Sequence, residues 1–544
     1  MSRTTPMRLV ELLVLKDDIS KVISYLGKNA CFEFQNSNGD SEKKDVNSEN
    51  KEYELYKALD QARSYLGLIQ LDDEEIKYDL PSDADISKAE EIVSKVNELQ
   101  TKEAEKGEEV MASVKYFADC NASAIYELLK KLSIASQIKN VECKLEDTKY
   151  VYRMTGWVQE SESQNIIDDL DKLTDKRIAV RTFTPEEVKS VTSGNEKVPA
   201  EIRHGKLISS FKRMVFSYGS PVYGMIDPTP FVALFFTFLF GLMFGDAGQG
   251  LVFLVLGILM ATKVIKFGGW NKFAPIFMAI GCTSMIMGIL TGEFFANETL
   301  LVPVARFLTG LFGEPRDHIL HLMPSSDPHS ILTMFKFFGF SVAVGFIINS
   351  TGLILNFINN LRNKKFGKAF FGKNGLAGVL FFWYVIAFAL RLAFLKQTPQ
   401  MYDWIVIGVT LFFAAFGEPF ERLCDGERPV FENGFGAALI GGIVELIEVV
   451  SGYMSNTVSF LRVGAFGLAH AVLGYIISSM SALAPWWGEI LILIFGNAIV
   501  VVLEGMIVAI QVIRLQYYEF FSKFFNETGR EFKPFAFTSV PDIK

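Results

Sequence analysis

FVALFFTFLFGLMFGDAGQGLVFLVLGILMAT, residues 231–262, carries no basic residue and a single acid, Asp246, across 32 positions. A helix crosses the hydrocarbon core of a bilayer with about 20 apolar residues, so this run holds more than one crossing requires. Its middle, GDAGQG at 245–250, is a helix breaker. Read as two short helices in a tight hairpin, the run returns the following loop, with Lys263, Lys266 and Lys272, to the side on which it began. The later loop with Arg362, Lys364, Lys365, Lys368 and Lys373 then falls on that same side. Both loops are thereby cytoplasmic, as the positive-inside rule requires, and the hairpin is the expected form. The long loop 293–330, with His318, His321 and His329, is expected outside, and these histidines carry only a weak metal signal.

Further apolar windows follow at 273–292, 331–359, 375–395, 402–417, 434–450, 456–483 and 487–513. The window 434–450 need not cross if it lies near the cytoplasmic face and leads into the long helix from Ser455. The expectation is an α-helical polytopic membrane domain of about eight transmembrane helices, the last two long and tilted, over residues 216–544. Residues 1–215 are mixed and charge-rich, which marks a cytoplasmic N-terminal domain. Within it, MRLVELLVL (7–15), 31–34, YVYRMTGWV (150–158) and IAVRTFT (178–184) read as strands, and 17–26 and 160–173 as helices. A charged, mostly helical stretch at about 47–139 interrupts this α/β lobe as a helical hairpin. Its segment SKAEEIVSKVNELQTKEAEKGEEV (87–110) reads either as a coiled-coil arm or as one amphipathic surface helix.

Composition excludes several classes of function. The net charge of −8 sits mostly in the first domain, and no basic tract with interleaved aromatics points to nucleic acid. The five cysteines are scattered without a CxxC, which argues against a zinc motif or a disulfide framework and fits a reducing compartment. The N-terminal apolar stretch is too short for a signal peptide, so the first domain is expected to stay inside, with both termini cytoplasmic. There is no GxxxxGK[ST] phosphate loop and no Ser/His/Asp constellation, so the chain is expected to be non-catalytic, without cofactor or metal.

Charge at bilayer depth is expensive and needs a reason. In SNTVSFLRVGAFGLAHAVLGYII (455–477), Ser455, Ser459 and Arg462 share one face, and His470 lies two turns, about 12 Å, further along. On the last helix Asn497, Glu504 and Gln511 recur every seven residues, with Arg514 three beyond. This stripe is either a packing seam of interhelical hydrogen bonds or the wall of a hydrated ion path, and Arg514 also fits a snorkelling arginine. Glu445 and Glu448 add acids before Arg462, where a solvated face is the plainer reading for Glu445 and less so for Glu448. Asp246 reads as a helix cap, and Glu293, Arg391 and Glu418 as ordinary interfacial charges.

SNTVSFLRVGAFGLAHA (455–471), IDPTPFVALFFTFLFGLMFGDAGQG (226–250), VIRLQYYEFFSKFF (512–525) with FKPFAF (532–537), and TGWV (155–158) together resemble the large membrane subunit of V-type and A-type ATPases. It is called subunit a in eukaryotes and subunit I in bacteria and archaea. The resemblance implies a stator that stands beside a rotating proteolipid ring and provides two ion half-channels. It couples H⁺ or Na⁺ transport to ATP hydrolysis or synthesis elsewhere in the complex. Matched by motif, Arg462 takes the place of the essential arginine and Arg514 that of its partner. Glu448, His470 and Glu504 fall where polar groups line the access paths, and Gln511 stands where some relatives have histidine. The implied partners are the proteolipid ring, peripheral stalk subunits, the central stalk and catalytic sector, and the bilayer of a bacterial or archaeal plasma membrane. The stretch between the two halves of the lobe is short for this family, which implies fewer or rearranged stalk contacts. The rival readings are a secondary transporter or ion channel using the polar face of the last two helices, and a membrane-anchored signalling module. No repeat between halves of the membrane domain supports the former, and no catalytic constellation in 1–215 supports the latter.

Overall fold

The computed structural model describes residues 4–35, 50–68, 80–106, 108–262, 264, 268–295, 297, 301–312, 328–395, 398–425, 434–525 and 529–538. The chain divides into two compact units, one of 5–201 with 530–544 and the other of 1–4 with 202–529. The division falls at Glu201/Ile202, and the C-terminal tail belongs with the first unit.

In the first unit, alternation in 7–15 builds strand β1 (Met7–Leu15), which sits in the middle of an antiparallel sheet. The order is β2 (Phe32–Phe34), β4 (Val151–Gln159), β1, β5 (Ala179–Phe183), with the short β3 (Glu146–Asp147) pairing on β4. The register Met7↔Gln159 to Leu15↔Val151 brings Val10, Leu12 and Val14 together with Met154 and Val158 in one buried cluster. Helices α1 (Ile19–Asn29) and α5 (Glu160–Leu173) add Val22, Ile23, Leu26, Ile166 and Leu170 to that core.

The arm consists of three helices rather than a plain hairpin: α2 (Lys51–Tyr65), α3 (Asp83–Lys106) and α4 (Glu108–Lys144). Leu59, Ala89, Ile92, Val96, Ile125, Leu128 and Leu132 close a shared apolar seam. The segment beginning at Ser87 therefore opens inside a packed bundle, with Ala89, Ile92 and Val96 buried. Asn50 starts α2 by accepting from Tyr53 N at 3.0 Å while its amide donates to Ser136 O of α4 at 3.1 Å. The tail closes the unit: Phe535 N donates to Phe32 O at 2.8 Å, and Phe537 is buried in the sheet core. Short helix α6 (Lys189–Thr192) and the parallel pair β6 (Pro199–Ala200) and β7 (Arg530–Glu531) complete it.

The second unit is helical. After α7 (Lys206–Tyr218), the apolar run 231–262 breaks at 244–246, between α8 (Thr229–Met243) and α9 (Ala247–Ala261). Asp246 caps α9, accepting from Gly248 N at 2.7 Å and Gln249 N at 3.0 Å. Both helices pack on α10 (Ala274–Thr291), in opposite senses. Thr237 and Phe244 of the α8 run meet Thr283 and Ser284, whereas Ala247 meets Gly288 and Gly257 meets Met278. The chain continues with α11 (Val302–Phe312), α12 (Pro328–Arg362), α13 (Phe366–Phe370), α14 (Leu376–Leu395), α15 (Met401–Ala415) and α16 (Gly417–Asp425). It ends with α17 (Phe435–Ser459), α18 (Leu461–Leu483) and the long α19 (Trp486–Phe524).

Among the described residues, four helical stretches are long and apolar enough to cross a membrane: Gly269–Thr291, Met334–Arg362, Gly436–Leu483 and Trp486–Phe524. Met401–Ala415 and Gly417–Cys424 pass only together and are bent by 65°, while Thr229–Met243, Ala247–Ala261 and Leu376–Leu392 are shorter apolar helices. The 48-residue stretch Gly436–Leu483 runs about 72 Å, more than twice a hydrocarbon core. His318 and His321 lie outside the described residues, as does the chain on either side of them from 313 to 327.

Candidate functional site

Helix α18 reaches its position through small residues. Phe460, at the junction of α17 and α18, fills the space over Gly345 of α12, where an added Cβ would meet its ring at 2.3 Å. Gly464 and Gly467 let the rings of Phe338 and Phe337 approach α18. This close seating fixes the faces on which Arg462 and His470 emerge. Along α19, two turns of π-helix, Val500–Glu504 and Gln516–Phe521, interrupt the α-helical repeat.

Two polar clusters result. In the first, buried His470 lies between two carboxylates, with Nδ1 3.0 Å from Glu504 Oε2 and Nε2 4.0 Å from Glu293 Oε2. All three residues are buried, and the Phe244 ring lies over the imidazole with centroids 4.7 Å apart. Beside them, Gln249 Nε2 donates to Asn497 Oδ1 at 2.8 Å, and Asn497 Nδ2 donates to Leu493 O at 2.8 Å. Asp246 Oδ1 also accepts from Phe295 N at 3.0 Å, which ties the start of α9 to the chain leaving α10. Glu293 reaches the cluster because Gly292, at φ 85°, ends α10 in the left-handed region and reverses the chain there.

The second cluster surrounds Arg462. Its Nη2 donates to Ser459 Oγ at 3.1 Å, and the Ser459 hydroxyl donates in turn to the buried carboxylate of Glu519. Arg514 is exposed and makes no ion pair or hydrogen bond among the described residues. Arg462 Nη1, Glu504 Oε1, Gln511 Oε1 and Glu519 Oε2 are buried without a protein partner. Each such atom costs about 1–3 kcal/mol unless water or an ion satisfies it. All four lie on α18 and α19.

Of the residues singled out by sequence, His470 and Glu504 meet directly, Asn497 joins them through Gln249 and Phe295, and Ser459 and Arg462 form the second cluster. Gln511 lies on α19 between Glu504 and Arg514. Glu448 is not brought to either cluster: it is exposed on α17, three turns before Ser459, and pairs with Lys373 at 2.7 Å. Sequence reading missed Glu293, taken as an interfacial charge, and Glu519. It also gave no weight to Asp403, which is fully buried, bonded to Arg391, and accepts from Tyr384 Oη at 2.6 Å.

Outside the membrane helices, burial and the Glu162 charge push the Cys31 thiol up to about 11. Cys31 is thus a core residue of the lobe rather than a reactive one.

Comparison with known proteins identifies the family. The V-type ATPase 116kDa subunit family matches residues 34–301 and 423–537. The V-type ATP synthase subunit I 2 of Treponema pallidum is 38% identical over 382 residues, covering 66% of this chain and 83% of that protein. The A-type ATP synthase subunits I of Pyrococcus abyssi and Methanocaldococcus jannaschii are 27% and 26% identical, each over 84% of this chain. The chain spans only 63% and 65% of those two archaeal relatives. With more than half of its length matched, the chain belongs to the V-type ATPase 116kDa subunit family, whose members are non-catalytic membrane subunits of rotary ATPases.

Proposed function

We propose that this chain is the stator and ion-translocating subunit of a rotary ATPase, with its N-terminal 215 residues as a cytoplasmic stator domain. Residues 216–544 then make about eight crossings, with α18 and α19 tilted beside a ring of proteolipids. The observation that carries the reading is the layout of the two clusters. A buried Glu293–His470–Glu504 group lies about 12 Å along α18 from a guanidinium with an unpartnered donor. Such a layout offers one polar access to the ring from each side of Arg462.

Guanidinium holds its proton at any working pH, so Arg462 attracts a passing carboxylate into its charged, ion-free form without relaying the ion itself. An ion that enters by one half-channel must then ride the ring before it leaves by the other. His470, between two carboxylates, can accept and release a proton within hydrogen-bonding reach of Glu504. Each charge moved supplies about 2.3 kcal/mol per 100 mV. Gln511 and Arg514 line the route between the clusters, Asn497 extends the first and Ser459 the second, and Glu448 belongs to the cytoplasmic mouth of the route. The partners of this reading are the proteolipid ring, peripheral stalk subunits and the central stalk with its catalytic sector. The location is a bacterial or archaeal plasma membrane, with both termini inside.

The test is ATP-driven ion uptake by vesicles holding the assembled complex, with and without Arg462→Ala. Loss of uptake with the complex still assembled is expected. Undiminished, ATP-coupled uptake would overturn the mechanism at its centre.

A further inference from the structure

Between Ile202 and Gly292 the chain carries seven lysines and arginines against two acids, Asp227 and Asp246. Both acids are engaged locally: Asp227 pairs with His204 and accepts from Thr229 N, and Asp246 caps α9. Of these cations, Lys212, Arg213, Lys263, Lys266 and Lys272 have no carboxylate within ten residues in sequence.

The fold gathers several of them. Helix α7 buries Phe211 and Val215, with Phe211 edge-on to Phe236 of α8 at 6.1 Å. Tyr517 Oη of α19 donates to Met214 O at 2.8 Å, so α7 is fastened along its inner face. On its outer side the Arg213 guanidinium lies 5.9 Å over Phe273, and Ser210 Oγ donates to Lys272 O at 2.8 Å. These contacts bring α7 against the turn Gly268–Phe273 that leads into α10. Lys212, Arg213 and Lys272 make no ion pair among the described residues. The same patch shows large apolar side chains, Leu207 at 68% and Trp270 at 65% exposure. It sits where α8 begins, α9 ends and α10 begins, at one end of three apolar helices.

Unpaired cations beside exposed Trp and Leu, at the end of apolar helices, are the make-up of an interfacial surface. We propose that α7 and the 268–273 turn form a docking surface for the phosphate headgroups of anionic phospholipids, with Lys212, Arg213 and Lys272 as the contacts and Trp270 and Leu207 dipping into the acyl boundary. An acidic protein surface would complement the charge but not the two exposed apolar side chains. Arginine offers a fork of donors to a phosphate diester, and the lysines add point charges.

The test titrates the full chain in detergent with phosphatidylglycerol and with phosphatidylcholine, counting bound lipids by native mass spectrometry. Lys212→Gln/Arg213→Gln/Lys272→Gln should weaken phosphatidylglycerol binding about 100-fold, at about fivefold per charge removed. Lys57→Gln/Lys144→Gln/Lys197→Gln removes three exposed charges from the first unit instead and should change it less than about threefold. A charge-conserving pair, Lys212→Arg/Arg213→Lys, should keep the affinity and shows that folding is intact. Equal loss in the two triple variants, no loss in the first, or equal binding of phosphatidylcholine would each overturn the proposal.

Discussion

At the scale of single residues, Glu519 is the group whose place in the Arg462 cluster had no direct sequence signal. Asn497, Glu504 and Gln511 recur every seven residues, and the next heptad position is Tyr518, which is 68% exposed, whereas Glu519 is 5% exposed. The π turn at Gln516–Phe521 accounts for the slip, since it inserts one residue into the repeat and carries Glu519 onto the stripe. A strict α-helical period could not anticipate that. His470 and Glu504 were legible because charge in an apolar helix is costly. Glu293 was not, because the glycine reversal that turns it inward looks like any helix end. Through Ser459, Glu519 holds the Arg462 side chain, so Glu519→Gln should weaken that hold by the value of a charged hydrogen bond, about 1.5–3 kcal/mol. ATP-driven uptake should fall about tenfold or more while the complex stays assembled; full uptake would make Glu519 a bystander. Cys31 gives a second test at this scale. With its thiol pushed up to about 11, the folded lobe favours the neutral form, and about one molecule in a thousand carries thiolate at pH 8. Folded Cys31 should therefore resist iodoacetamide at pH 8 while exposed Cys120 is labelled. The sign for stability follows: this contribution is full below the ordinary thiol range near about 8.5 and is lost as pH rises toward about 11. Rapid native labelling of Cys31 at pH 8 would contradict both statements.

At the scale of elements, the hairpin at 231–262 shows what a breaker motif tells and what it hides. GDAGQG announced the break and Asp246 the cap, and the structure has both. The sequence did not announce that α9 and α10 would close against each other through glycines. A Cβ on Gly250 would stand 2.7 Å from Met285 N, one on Gly281 2.5 Å from Leu254 N, and one on Gly288 2.0 Å from Ala247 N. These neighbours are backbone and cannot swing away, which is how small residues set helix spacing where lipid offers no hydrophobic drive. Gly288→Ala should therefore force α9 and α10 apart, at a cost of about 1–3 kcal/mol or more. Because Ala247 adjoins Asp246, the strain would also reach the Glu293–His470 cluster. The readout is the thermal midpoint of the purified chain, with Gly408→Ala as control, since a Cβ there meets nothing within 4 Å. Equal midpoints for the two variants would refute the close-packing account. The arm of the first unit makes the complementary point. Its charged composition read as a two-helix hairpin, yet α2, α3 and α4 share one seam because Leu59, Ala89 and Ile125 are spaced to bury a single face of each helix.

At the scale of the whole chain, the order of elements in sequence is not the order of assembly. Strands β1, β2, β4 and β5 were legible from their alternation, and their pairing follows from antiparallel register. The part played by the last residues was hidden, because FKPFAF lies more than 300 residues from the sheet it completes. It enters the first unit through matched contacts. Arg530 pairs with Glu33, whose second oxygen accepts Lys533 N at 3.1 Å. Thr538 N donates to Gln137 Oε1 at 3.1 Å, and Gln137 Nε2 donates to Thr538 O at 2.7 Å. Phe537 is 7% exposed and fills the space over Gly27, where a Cβ would meet its ring at 2.5 Å. Removing a buried phenylalanine costs about 3–5 kcal/mol, a large share of the stability of one domain. Phe537→Ala, or a stop after Gly529, should therefore loosen the sheet edge at β2 rather than the membrane helices. Hydrogen exchange on the full chain would read this as lost amide protection across 31–35 and in α1, with α8 to α10 unchanged. A tail that merely rests on the surface would leave protection at 31–35 as it is, and a tail needed for insertion would loosen α8 to α10 as well; either pattern would disprove its role as part of the lobe's core.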